Sequence, residues 1–149
     1  MILSAQSIRK RQGMITPFFE RSQFMGMSYG LSSAGYDICI AQSIEINSGA
    51  FVLASSQERF DMPDDLIARV MDKSTLARLG LAVQNTIIEP GWSGYLTLEL
   101  TNHSNTVIYT QCGMPIAQII FEQLDLPTDQ PYSGKYQNQG QNPVGPILV

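Results

Sequence analysis

A mainly β chain, folded as a sandwich or a barrel with short helices, is the architecture this sequence predicts. Three observations carry that reading. Short segments rich in Ile, Val, Tyr, Leu and Thr recur along the chain, each is bounded by Gly, Ser, Asn or Pro, and no regular alternation of strand and helix builds a βαβ unit.

The elements follow in chain order. Ser4 is an N-cap candidate before AQSIRKRQGM, a run of helix formers with basic residues toward its end. Gly13 stands where a C-cap belongs, and Pro17 soon after forbids continuation. A second, shorter helix is expected in MPDDLIARVM, with Pro63 in the first turn, acids at Asp64 and Asp65, and apolar Leu66, Ile67 and Val70. Strands are expected in YDICIA, SIEI, AFVLAS, TIIEP, GYLTLELTN, TVIYT and MPIAQIIFEQL. In GYLTLELTN the alternation places Leu96, Leu98 and Leu100 on one face and Thr97, Glu99 and Thr101 on the other. The tail from Pro127 is rich in Pro, Gln and Asn, a composition that orders only on docking.

The 149 residues fit one domain, and a chain of this size buries enough surface for a core without staples. Only 15% of the residues are charged, against about 25% in an average globular chain. Uncharged polar cover and surface lost to a partner subunit both account for that deficit. The net charge of −4 argues against a basic nucleic-acid-binding face. No apolar run is long enough to span a bilayer, and the start, MILSAQSIRKRQG, lacks the apolar stretch of a secretory signal. Two cysteines, Cys39 and Cys112, are too few for a disulfide scaffold, which fits a reducing cytoplasm.

Two segments carry chemistry. DKSTLARLG gathers Lys73, Ser74, Thr75 and Arg78, and such cations and hydroxyls suit a phosphate-binding turn. The same residues also read as a helix turn with solvated Lys and Arg. EPGWSGYLTLELTN opens on a Pro90-Gly91 turn, places the only tryptophan, Trp92, just past it, and carries Glu99 on the polar side of its strand. In an open sheet Glu99 is solvated. In a closed barrel it points inward or into a subunit junction, where burial raises its pKa and fits it for proton transfer. Metal chemistry has few donors, namely His103, Cys39 and Cys112 without a Cys-x-x-Cys pair, and the zinc nucleobase-deaminase signature is absent. No P-loop or GxGxxG occurs, and a Ser-His-Asp site would rest on His103 alone.

Taken together, LSAQSIRKRQGMITPF, SSAGYDI, LASSQERFDMPDDLIARVMDKSTLARLGL, EPGWSGYLTLELTN, GMPIAQIIFEQL and PYSGKYQNQG resemble the dCTP deaminase family, within the superfamily that includes trimeric dUTP diphosphatases. The resemblance covers nearly the whole chain. It implies a distorted, jelly-roll-like β-barrel of the dUTPase type, one domain over 1–149 with 127–149 as a C-terminal lid or tail, and a homotrimer with active sites between subunits. It implies conversion of dCTP to dUTP and ammonia, alone or coupled to diphosphate release that yields dUMP. Other readings are a dUTP (or other deoxynucleoside triphosphate) diphosphatase and a non-catalytic nucleotide-binding regulator.

Carried over residue by residue, Glu99 matches the catalytic glutamate, Ser74 the serine that holds the reacting water, and Arg78 the arginine of the deaminase version. Lys73, Ser74 and Thr75 would face the phosphates, with Lys73 standing where arginine is common. Glu89 occupies the place of an aspartate that binds the deoxyribose 3′-hydroxyl, and Trp92 that of an aromatic residue packed on the sugar. Thr97 and Leu98, beside Glu99, join the substrate-binding set, as do Gln118, Tyr132, Lys135 and Gln139. The resemblance also implies Mg²⁺ carried by the triphosphate, no zinc, and no nucleic-acid or membrane partner. Cys39 stands where the family often has arginine, and the LGLAVQNTII stretch between Arg78 and Glu89 is shorter than usual.

Overall fold

A computed structural model describes residues 1–149. The elements in chain order begin with α1 (Ala5–Lys10), β1 (Ile15–Thr16), β2 (Ser22–Phe24), β3 (Met27–Leu31), β4 (Tyr36–Cys39), β5 (Glu45–Ile46) and β6 (Phe51–Asp61). They continue with β7 (Leu66–Asp72), α2 (Ser74–Ala77), β8 (Leu81–Val83), β9 (Ile87–Ile88), β10 (Ser93–Asn102), β11 (Ile108–Tyr109) and β12 (Pro115–Gln123). Three antiparallel sheets result: a four-stranded sheet in the order β1-β6-β10-β8, a six-stranded sheet in the order β2-β3-β4-β12-β7-β9, and the pair β11-β5.

The core lies between the two large sheets. Leu98 and Leu100 of β10, Phe60 and Ala54 of β6, Phe121, Ile119 and Ala117 of β12, Leu66 and Ala68 of β7, and Tyr36 and Ile38 of β4 are almost wholly buried. The sheets are stitched where β4 leaves its own sheet: Ile40 bridges to Ser56, and the Ala41 N–H donates to the Ser55 carbonyl at 2.8 Å. The Glu58 carboxylate completes this seam. Its two oxygens accept the Cys39 N–H at 3.0 and 3.2 Å, so a side chain supplies the acceptor that a strand would have supplied. Cys39 brings no cation to this carboxylate. Burial pushes the Glu58 acid up to about 7 and the neighbouring Cys39 thiol up to about 12.

Three sequence expectations change, and the tail finds the surface on which it docks. The segment expected as a second helix, MPDDLIARVM, is strand β7, paired along its length with β12 from Leu66↔Gln123 to Asp72↔Ala117 and with β9 at Ala68↔Ile88. Its burial alternates with the period of a strand, Leu66, Ala68 and Val70 turning inward, and this pairing overrides the helix-like start at Pro63-Asp64-Asp65. The first helix stops at Lys10, short of Met14, and the Ser4 side chain makes no capping bond to the helix backbone. On β10 the face of Leu98 and Leu100 is as expected, but a register shift between Tyr95 and Thr97 breaks the phase. Leu96 is therefore half-buried and lines a cavity together with Thr97 and Glu99. Finally, the tail is docked on its own chain. Gly94 at φ +145° lets the tail backbone come close, since a Cβ there would lie 2.7 Å from the Gln139 nitrogen. The Tyr95 N–H donates to the Gln139 carbonyl at 3.0 Å, and the Asn138 N–H donates to the Ser93 carbonyl at 2.8 Å. The Trp92 indole N–H donates to the Tyr136 carbonyl at 2.7 Å.

Two outcomes follow from this packing. Leu98→Ala leaves a cavity between the sheets and lowers unfolding free energy by about 2–5 kcal/mol, read as a lower urea midpoint at unchanged slope. The second concerns pH. An acid whose pKa is higher folded than unfolded binds more protons in the native state, so stability falls as pH rises through that interval. For Glu58 the interval runs from its ordinary 4.5 to about 7. The paired carboxylates Glu20, Asp65 and Glu122 are held low, so their losses lie at more acid pH. Urea titrations across this window should show wild-type stability falling by about 3 kcal/mol with rising pH, at about 1.4 kcal/mol per unit, and Glu58→Gln should remove most of that slope.

Candidate active site

The residues singled out from the sequence fall into two clefts on the chain. The first has a volume of about 530 Å³ and is lined by β10, the β8–β9 connection and the tail. It brings together Glu89, Trp92, Thr97, Glu99, Tyr132 and Gln139. The second, about 450 Å³, lies between β4, β7 and β12 and brings together Lys73, Ser74 and Gln118. Thr75, Arg78, Leu98 and Lys135 line neither cleft.

The register of β10 explains the first cleft. Glu99 stands opposite Leu53 of β6, between the inward Leu98 and Leu100, so its side chain leaves the core on the opposite face. The cleft walls are largely apolar, with Phe51, Leu53, Ile87 and Leu96 among them, and desolvation raises the Glu99 pKa above its ordinary value. A carboxyl shifted upward in an apolar cleft is suited to take and return a proton. Thr97 is engaged by the tail on both sides of its hydroxyl: it donates to Gln139 Oε1 at 3.2 Å and accepts the Val144 N–H at 3.1 Å. Trp92 is buried and tied to the tail, so its ring is a rigid wall of the cleft. Glu89 sits exposed at the rim, where its carbonyl accepts the Trp92 N–H at 3.1 Å and closes the Pro90-Gly91 turn.

The second cleft is polar. Lys73 is buried, and its ammonium donates to Asp37 Oδ2 at 2.7 Å, to the Ser28 carbonyl at 2.7 Å and to Ser28 Oγ at 3.1 Å. It is therefore neither the solvated lysine of a plain helix turn nor a free cation; Asp37 holds it in place. Asp37 Oδ1 is buried without a partner. Ser74 opens the short helix α2 on the rim, and Gln118 Nε2 donates to Ser32 Oγ at 3.3 Å from the facing strand. Arg78, at the end of α2, is exposed and unpaired in the chain. The Leu98 side chain is fully in the core, which leaves only its backbone for contact. Lys135 lies on the tail, 5.5 Å from the centre of the Tyr136 ring, and donates to the Ile147 carbonyl.

Three site residues escaped the sequence reading. Asp37 lay inside the quoted SSAGYDI motif, but only the fold shows that it pairs with Lys73. Tyr136 enters the first cleft because the tail docks there. Asn85 binds the backbone of β10 beside Glu99, and nothing in its spacing marks it. No three His, Cys, Asp or Glu side chains converge to hold a metal ion, and no helix is long and apolar enough to cross a membrane.

The chain is similar to known proteins in both sequence and fold. A dCTP deaminase-like family model matches residues 36–124. A dCTP deaminase of Campylobacter jejuni is 36% identical over 159 aligned positions, covering 85% of this chain and 86% of that protein. A dUMP-forming dCTP deaminase of Kocuria rhizophila is 43% identical over 104 positions, covering 68% of this chain and 54% of that protein. The alignment with that relative thus spans about half of its length. Among solved structures, the dCTP deaminase of Agrobacterium tumefaciens superposes with a TM-score of 0.67 at 17% identity, over 83% of this chain and 49% of that one. A dUTPase of EIAV superposes with a TM-score of 0.60 at 23% identity, over 82% of this chain and 98% of that one. The curled sheets are therefore the dUTPase-type barrel, and the chain belongs to the dCTP deaminase family.

Proposed function

We propose that this protein is a dCTP deaminase: it adds water to C4 of the cytosine of dCTP and releases ammonia, leaving dUTP. The observation that carries the reading is Glu99, half-buried on β10 with its carboxyl in an apolar cleft and its pKa raised by burial. In this scheme the Glu99 carboxylate takes a proton from water as the oxygen bonds to C4, and passes it to the ring N3. The tetrahedral adduct then collapses: Glu99 takes the C4 hydroxyl proton and gives it to the amino group, the C4–N4 bond breaks, ammonia departs, and C4 becomes a carbonyl. Ser74 orients the water and Arg78 offsets developing charge.

The active unit in this reading is a homotrimer with sites between subunits. Support comes from the separation of the site residues into two clefts, and from the exposure of Arg78 with no acid partner in its own chain. Exposed Phe51, Met71, Leu79 and Ile87 around the clefts add apolar surface suited to a closed, symmetric assembly. The substrate enters as its Mg²⁺ complex, the ion held by phosphate oxygens and water. Ser74, Thr75 and Lys135 serve the triphosphate, Lys73 supports that turn from its ion pair with Asp37, and Gln118 serves base or phosphate. Glu89 and Trp92 serve the sugar, and the tail residues Tyr132 and Gln139 close the site. The protein works in the cytoplasm on free nucleotides.

Glu89 in the same cleft as Glu99 favours coupled release of diphosphate, since a second carboxylate is then available to activate water at the α-phosphate. The dUMP-forming relatives at 43% identity support this extension.

Incubation with dCTP and Mg²⁺, with nucleotide products resolved and ammonia measured, tests the reading. Ammonia with dUTP or dUMP is the expected outcome, dUMP indicating the coupled reaction, whereas dCMP without ammonia refutes deamination. Glu99→Gln keeps shape and nucleotide binding and should lower ammonia release by about 10²–10⁴-fold. Wild-type activity in that variant would remove Glu99 from the chemistry.

A further inference from the structure

Strand β10 has an edge that the backbone does not finish. Strand β8 pairs with it only from Leu100↔Val83 to Asn102↔Leu81, and the Gln84 N–H adds one bond to the Glu99 carbonyl at 2.9 Å. Beyond Gln84 the chain turns away, because Ile87 and Ile88 pair with β7 in the other sheet. The next groups on this edge of β10, the Glu99 N–H and the Thr97 carbonyl, therefore face no strand. Both are met by one side chain. Asn85 Oδ1 accepts the Glu99 N–H at 2.9 Å, and Asn85 Nδ2 donates to the Thr97 carbonyl at 2.6 Å.

A carboxamide carries the same acceptor and donor as a peptide group, so Asn85 continues the ladder where the main chain has left it. It does so across the residue that bears the cleft carboxyl, and it lines the cleft itself. Because Ile87 and Ile88 are committed to β7, the main chain does not continue beside β10, and the Asn85 side chain takes that place. We propose that Asn85 is a positioning residue of the active site, one that fixes the Cα–Cβ direction of Glu99 by clamping the backbone on both sides of Leu98. The proposal rests on the deaminase reading for its kinetic consequence, but the clamp is a property of the chain.

Other side chains do not supply this function. On the opposite edge, β6 holds β10 through Leu98↔Ala54 and Leu100↔Val52, which orients the core face. Gln84 Oε1 accepts from the Thr101 hydroxyl at 2.5 Å, two residues further along the strand. Only Asn85 acts on both neighbours of Leu98 at once. Without it, water would take the two backbone groups and the strand could swing locally, and small displacements of a catalytic group cost rate far more than binding.

Wild type, Asn85→Ala and Asn85→Asp are compared in steady-state deamination of Mg·dCTP between about pH 5.5 and about pH 9, with dCTP affinity measured separately in the Glu99→Gln background. Asn85→Ala should lower kcat by about 10–100-fold while KM and dCTP affinity stay within about twofold. The acid limb of the profile should move to lower pH as water reaches Glu99. Asn85→Asp keeps the acceptor for the Glu99 N–H but sets an anion against the Thr97 carbonyl and beside Glu99. It should lower kcat as well and move the acid limb to higher pH. Two results overturn the proposal: an Asn85→Ala enzyme with wild-type kcat and an unmoved profile, or parallel losses of kcat, affinity and melting temperature with the limb unmoved. If wild type releases no ammonia, the deaminase reading fails, and the clamp is read from the Glu99 carboxyl titration by ¹³C NMR. A lower pKa in Asn85→Ala supports it and an unchanged value refutes it.

Discussion

The pairing of β10 with β6 is the constraint from which the rest of the chain follows. Along it, Leu98 and Leu100 enter the core opposite Ala54 and Val52, and period-two alternation sends Glu99 out on the other face. A one-residue slip would bury the acid and expose two leucines, so core packing and site geometry select the same register. The bulge between Tyr95 and Thr97 adds a local exception at the same place. Ser56 Oγ accepts the Leu96 N–H at 2.9 Å there, and Leu96 turns to wall the cleft beside Thr97 and Glu99. One apolar wall of the cleft that desolvates Glu99 is thus delivered by an irregularity of the strand that carries Glu99.

The two buried acids show how differently a carboxylate can be housed. Asp37 is matched by Lys73, whose ammonium has three acceptors and no freedom to reorient. Removing either partner leaves a buried unpaired charge, the costly arrangement, whereas the intact pair need add little net stability. Glu58 has only N–H and dipole partners, because Cys39 offers its backbone and a thiol that stays protonated. The seam between the sheets consequently holds better when Glu58 is neutral. An ionisable group has been retained where an uncharged acceptor would satisfy the same N–H.

Patterned strands could be read directly from the sequence, and elements defined by their neighbours could not. Tyr36–Cys39, Ser93–Asn102 and Pro115–Gln123 combine β-branched and aromatic residues with clear turn boundaries, and each forms where expected. Leu66–Asp72 failed because Leu66, Ile67 and Val70 satisfy a helical spacing as well as a strand one. Only pairing with β12 decides between them. The site divides in the same way. Glu99 could be singled out from a strand alternation and Trp92 from its place beside a turn, whereas Glu89 was named only through the family resemblance. Asp37's hold on Lys73 and Asn85's hold on β10 are contacts across 36 and 12–14 residues of sequence, and local spacing carries no information about them.

The tail brings composition and structure into one account. Its Gln, Asn and Pro residues offer little apolar surface with which to order the segment. What orders it is backbone: Ser93 and Tyr95 exchange bonds with Asn138 and Gln139, and Gln137 Nε2 donates to the carbonyls of Gly91 and Tyr132 at 2.9 and 3.0 Å. Gly94 permits the approach that these bonds need. Uncharged amides suit this work, since they satisfy strand-edge groups on both donor and acceptor sides without bringing charge beside Glu99. The low charged fraction of the chain then has a local cause as well as the subunit burial proposed above. Cover near the apolar cleft that holds Glu99 is made from amides, and none of Lys73, Arg78 and Lys135 lines that cleft.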